Sequence, residues 1–287
     1  TGSDNTAIGF YSLRNTTGSN NTGVGRAAIE SNTSGVYNVG IGVQALGLNT
    51  TANGNVAVGW KASYSNQTST GNTAVGHLAL FENTGHSSTA VGYESLKLST
   101  GNNNTAVGRS TLASCTTGFS NVAVGRGSLG TNTTGNYNVG IGLNALHYST
   151  TASDNVAVGA QALQENTTGI RNTAIGFDAL RNNTTATNNT GLGYQALRAN
   201  TTGGSCTAIG DQALDANTTG YSNVAVGQSA LGANTTASDN VAVGVNSLTT
   251  NTTGASNTAV GKNALFSNTT ASYNTAIGDD ALLSNTT

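Results

Sequence analysis

The chain has 287 residues and a formal net charge of −2. Charged residues make up 8% of it, against about 25% in ordinary soluble domains, so it offers no electrostatic footprint for nucleic acid or an anionic membrane. Asn, Thr, Gly, Ser and Ala dominate, with neither Pro nor Met. That mix argues against an ordinary globule, while the low net charge and regularly recurring Val and Ile argue against disorder.

The chain opens in a turn, Thr1-Gly2-Ser3-Asp4, without an initiator Met, and stops in another, Asn285-Thr286-Thr287; we expect a processed piece of a longer protein. From there a pentad, Asn-Thr/Val-Ala-Val/Ile-Gly, recurs to the end. Its closing glycine falls at Gly9, Gly25, Gly42, Gly59, Gly76, Gly92, Gly108, Gly125 and Gly142, then every 17 residues from Gly159 to Gly278. Three steps are 16 residues, on both sides of Gly92 and before Gly25, where local bulges are expected and not domain boundaries. A unit this short is one turn of a stack. Residues 1–287 therefore read as a single all-β repeat domain, a parallel β-solenoid of about 17 turns, which at roughly 4.8 Å per turn would be on the order of 80 Å long.

We number the unit 0 to 16 from the pentad Asn. Places 1 to 3 form a short strand whose alternate side chains share a face. The aliphatics at places 1 and 3 (Val58, Val124, Val158, Ile175 and Val226 at place 3) are expected to line the interior. Leu at place 8 (Leu163, Leu180, Leu214) should close it from the other wall. Place 2 then points outward, yet it is nearly always Ala: Ala57, Ala123, Ala157, Ala225 and Ala242. A tiny residue on an outer face implies close approach of another backbone, here a neighbouring chain; burial of both strand faces within one chain is the alternative. Gly at place 4 and Gly or Ala at place 14 mark corners. Asn at places 0 and 11 can bond to its counterpart one turn along. The absence of Pro fits a continuous ladder.

Cys115 and Cys206 occupy different places, about five turns apart, on the order of 25 Å. That is too far for a disulfide, which needs Cα atoms within about 7 Å, so two free thiols are expected. Gly23-Val-Gly25-Arg-Ala-Ala28 and Gly191-Leu-Gly193-Tyr-Gln-Ala196 imitate a dinucleotide fingerprint, but only because place 2 is Gly there and no βαβ unit surrounds them. His77, His86 and His147 are scattered, and Asp does not recur in every turn, so neither zinc, a catalytic triad nor calcium is indicated. We expect no cofactor, no metal and no enzyme, no nucleic acid partner, and no membrane insertion, since no apolar run approaches the roughly 20 residues required.

Variation concentrates at places 5, 6, 9 and 10. Either this is a solvated face, or Trp60, Lys61, Tyr93, Arg109, Arg126, Phe177 and Tyr194 are surface contacts, with the rings able to stack on sugars. Asn-Thr-Thr at Asn132, Asn166, Asn200, Asn217, Asn234, Asn251 and Asn268 is formally a glycosylation acceptor or simply a turn. Its Thr rows also allow an ice-binding reading.

The pentad followed by x-x-Ala/Ser-Leu resembles the head repeats of YadA-type trimeric autotransporter adhesins, and the Asn-Thr-Thr-Gly linker looks like repeats of phage tail-fibre-like proteins. This resemblance covers the whole chain. It implies a left-handed parallel β-roll, a homotrimeric rod, and attachment to a surface, outside the cell, on the cell surface or on a virion, by a host glycan or protein receptor. The alternatives are an extracellular filament without receptor and an ice-binding solenoid.

Overall fold

In a computed structural model, described here for residues 2–286, the chain is a parallel β-solenoid with no helix among those residues. It divides into two compact units, 1–138 and 139–287. The first holds eight three-residue strands of the repeat, from Thr6–Ile8 to Val122–Val124; the second holds nine, from Val139–Ile141 to Thr275–Ile277. Within each unit the strands pair in parallel and in register with the next turn, Ala onto Ala: Ala74 with Ala90 in the first, Ala225 with Ala242 in the second.

The side chains of these strands are inverted relative to the sequence expectation. Ala57, Ala123, Ala157, Ala225 and Ala242 are fully buried in their own chain. Val58, Val124, Val158 and Val226 are half-buried on the outside, and Ile175 is 38% exposed. The alanine row therefore does not call for a second chain, because the chain's own interior accounts for it. The reason is the width of the bore. Leu163, Leu180 and Leu214 are fully buried, as expected for the opposite wall. A Cβ built at Gly191, which stands at place 2, would lie 3.4 Å from the Leu180 Cδ1. One leucine and one methyl fill the gap, so a valine or isoleucine at place 2 would overpack it.

Two rows of buried asparagines close the corners. At place 11, Asn217 Nδ2 donates to Asn200 Oδ1 and to Gly220 O, each at 2.9 Å, and Asn217 Oδ1 accepts from Asn234 Nδ2 at 3.0 Å. At place 0, Asn257 N donates to Asn240 Oδ1 at 2.9 Å, and Asn257 Nδ2 to Ala271 O at 2.9 Å. Most turns thus place their amides on the turns beside them and on their own corner carbonyl, so most of these buried polar groups are bonded, although Asn49 Oδ1 and Asn132 Oδ1 are left without a partner.

Glycine at place 4 is required twice over. Gly59 has φ +134°, a region L-residues rarely adopt, and a Cβ there would sit 2.6 Å from Gly76 O in the next turn. Places 6 and 8 are left-handed as well, although they carry ordinary side chains: Lys61 has φ 51° and Leu163 φ 50°. The tight reversal after each strand is bought with this strain, and the stacked ladder holds it in place.

The three 16-residue turns all lack the same residue, the second Thr of the corner at place 13. In the turns around Gly92 the corner is recast as two short parallel strands, Glu82–Asn83 and Leu98–Ser99. In place of the expected bulges there are deletions, and around Gly92 they flatten two successive corners into a strand pair.

Candidate interaction surfaces

Three surfaces follow from this frame. The first is the outer face of the strands. Places 1 and 3 carry only Thr, Val, Ile or Leu in all seventeen strands, so each unit presents two ranks of uncharged, mostly aliphatic side chains. Ile41 is 40% exposed in the first unit and Leu192 42% in the second. In-register pairing repeats each rank from turn to turn within its unit, with neighbours about 4.8 Å apart.

The second is the place 5 column beside that face. In the first unit the Trp60 and His77 rings stack at 4.6 Å with 19° between planes, and His77 and Tyr93 at 5.1 Å with 8°. Lys61 Nζ lies 4.9 Å from the Trp60 centroid, and the Arg109 guanidinium 5.6 Å from that of Tyr93. Arg126 continues the column one turn on and is exposed. In the second unit Phe177 and Tyr194 stack at 5.7 Å. In-register stacking thus brings together residues 16 or 17 apart in sequence. It also occupies ring faces that a sugar would need, since each ring is covered by its neighbour or by a cation. What these columns still present to a ligand is mainly ring edges and, from Arg109 and Arg126, guanidinium groups.

The third surface was not among the sequence candidates. The two flattened corners leave a recess of about 350 Å³ lined by Ser65, Glu82, Asn83, Thr84, Leu98, Thr100 and Thr116. Its signal in the sequence was the pair of 16-residue steps, but spacing alone does not say that a missing residue leaves a hollow.

Several other candidates are withdrawn by burial. Asn132, Asn166, Asn200, Asn217, Asn234, Asn251 and Asn268 are all fully buried, so in the folded chain none of these amides is available for glycosylation and the turn reading stands. The first Thr of each corner commonly donates its hydroxyl to the next turn, as in Thr201 to Thr218 O at 3.0 Å, which leaves that row only acceptor lone pairs to offer water.

Cys115 and Cys206 are free and buried. Each stands in for a ladder asparagine and keeps its bond to the corner carbonyl: Cys115 Sγ to Gly118 O and Cys206 Sγ to Gly220 O, both 3.4 Å. Burial pushes the Cys115 thiol up to about 11 and raises Cys206 as well, because a thiolate would lose its hydration. A raised folded-state value means that the preference for the thiol form is intact below the ordinary value and is lost as pH climbs through about 11 for Cys115. We predict that a thiol-specific reagent at pH 8 labels neither cysteine in the native chain and both after unfolding; fast native labelling would contradict the burial. Among the described residues no group of three or more His, Cys, Asp or Glu could hold a metal, and no helix is long and apolar enough to cross a membrane. The chain matches no protein-family model and no curated protein.

Proposed function

We propose that this chain is a segment of an extracellular or virion fibre, without enzymatic activity, that self-associates through the outer strand face and serves reach and attachment. The observation that carries this reading is the pair of uncharged ranks at places 1 and 3. An apolar strip continued turn after turn, with no charge in it, is what a chain in water covers with a partner, and its repeating geometry suits a second copy of the same strip. The resemblance supplies the number three and the left-handed roll. The alanine row no longer supports the trimer; the Val and Ile rows take its place.

Light scattering tests this. A homotrimer of the 28.5 kDa chain is expected, and the pair Ile175→Glu and Ile209→Glu should reduce it to monomers while the β-sheet circular dichroism persists. A monomeric parent chain at tens of micromolar would remove the reading. If that monomer also showed thermal hysteresis, the same two ranks would be an ice-binding face, since Thr and Val repeated at about 4.8 Å along a sheet can order water as well as pack on a copy.

A further inference from the structure

The row of corner threonines is interrupted in two successive turns, by Gln67 at place 12 and then at Thr84, and Thr84 lines the recess. At place 12, Thr50 Oγ1 donates to Gln67 O at 2.9 Å, Thr100 Oγ1 to Thr116 O at 2.8 Å, and Thr116 Oγ1 to Thr133 O at 3.0 Å. The hydroxyl of Thr84, between them, bonds to no described residue, and Thr84 is exposed. Beside it Glu82 is exposed and pairs with no cation among the described residues. The nearby cation, Lys97, is held instead by Glu94 at 2.9 Å. Asn83 is committed, its amide bonding Gly85 O at 3.0 Å and Gly85 N at 3.1 Å. Leu98 is 37% exposed on the neighbouring strand. Thr84, the acceptor-only carboxylate of Glu82 and Leu98 thus all belong to the mostly apolar lining of a hollow of about 350 Å³, at the low end of the roughly 300–1,000 Å³ typical of ligand sites.

We propose that this recess is a binding site for an uncharged saccharide. The chemistry is that of a polyol ring. Its hydroxyls donate to the Glu82 carboxylate and exchange hydrogen bonds with Thr84, while its C–H face lies on Leu98. Hydrogen bonds to a charged acceptor are the stronger kind, so Glu82 sets the affinity. The same charge disfavours acidic sugars. The volume admits a short saccharide and excludes a folded partner, so the ligand would be the exposed end of a surface glycan. This deepens the attachment reading above and takes its purpose from it, but the site stands on its own geometry. The recess lies where two successive turns each lack the place 13 residue that 17-residue turns carry.

The test is a titration of the full chain with methyl glycosides of glucose, galactose, mannose and N-acetylglucosamine and their β-linked disaccharides, followed by saturation-transfer and chemical-shift NMR. N-acetylneuraminic acid and glucosamine serve as the acidic and cationic probes. Binding of at least one neutral sugar is expected. Glu82→Gln should weaken it about tenfold, the loss of one charge-assisted hydrogen bond. Thr84→Val should weaken it less, and both variants should keep the parent circular dichroism. Inserting a Thr after Thr84 and another after Thr100 restores 17-residue corners and should abolish binding; should that variant misfold, the two point variants still decide. No neutral sugar bound at tens of millimolar, glucosamine alone bound, or binding unchanged in both point variants would each overturn the proposal. A trimer that binds no sugar would remove this inference and leave the fibre reading, and a monomer that binds one would do the reverse.

Discussion

Ala225→Glu is expected to unfold the turns around it, whereas Val226→Glu, one residue along the same strand, should leave them folded. Ala225 is fully buried against its own chain, and Val226 is half-buried on the outer face. At 225 the new carboxylate would enter a bore already filled by a leucine and a row of methyls. An isolated buried charge costs far more than a domain's whole stability of roughly 5–15 kcal/mol, and even a protonated Glu would overpack the space by about 1–3 kcal/mol or more. Because each turn touches only its neighbours, one failed turn interrupts the stack. Amide hydrogen exchange would show it as lost protection across several turns, with Val226→Glu changing only the mass in solution. The opposite pattern, Ala225→Glu folded but monomeric and Val226→Glu unfolded, would restore the original orientation of the strand.

A second large effect is expected at the asparagine ladder. Asn217→Leu keeps the number of side-chain heavy atoms, adds bulk at a buried position, and removes three hydrogen bonds, those to Asn200 Oδ1 and Gly220 O and the one accepted from Asn234. All three partners remain buried. Unsatisfied buried groups cost about 1–3 kcal/mol each, so a loss of roughly 3 kcal/mol or more is expected, and a fall in the thermal midpoint on the order of 10 °C for a unit of this size. Thr219→Val, on the outer side of the same corner, should move the midpoint little. Asn217→Cys should fall between the two, since the thiols of Cys115 and Cys206 show that the bond to the corner carbonyl can be kept without an amide. A loss below about 1 kcal/mol for Asn217→Leu would mean that the ladder is decorative and the leucines alone hold the turns together.

Much of this chain was legible in one dimension. A fixed step of 16 or 17 residues demands a stack; the invariant place 4 glycine demands a conformation other residues avoid; Leu at place 8 and Asn at places 0 and 11 stand where a narrow interior needs grease and amide ladders. These are consequences of local geometry repeated, and repetition carries them faithfully from Gly9 to Gly278.

The orientation of the strand was different. Thr-Ala-Val read from either face satisfies a period of two, because alternation separates the faces without naming the inner one. Hydrophobicity argued for the valines inside. Only the opposing wall decides, and it is close enough that Leu180 leaves room at Gly191 for about a methyl group. The stacking of Trp60 on His77 and of His77 on Tyr93 also depends on turns meeting in register, which turns three scattered surface residues into one column whose ring faces are covered. The recess at Glu82 and Thr84 needed both kinds of information. Its place was written in two short steps of the repeat, but whether a chain one residue short tightens, bulges or leaves a hollow is settled by how the turns above and below hold their own corners apart.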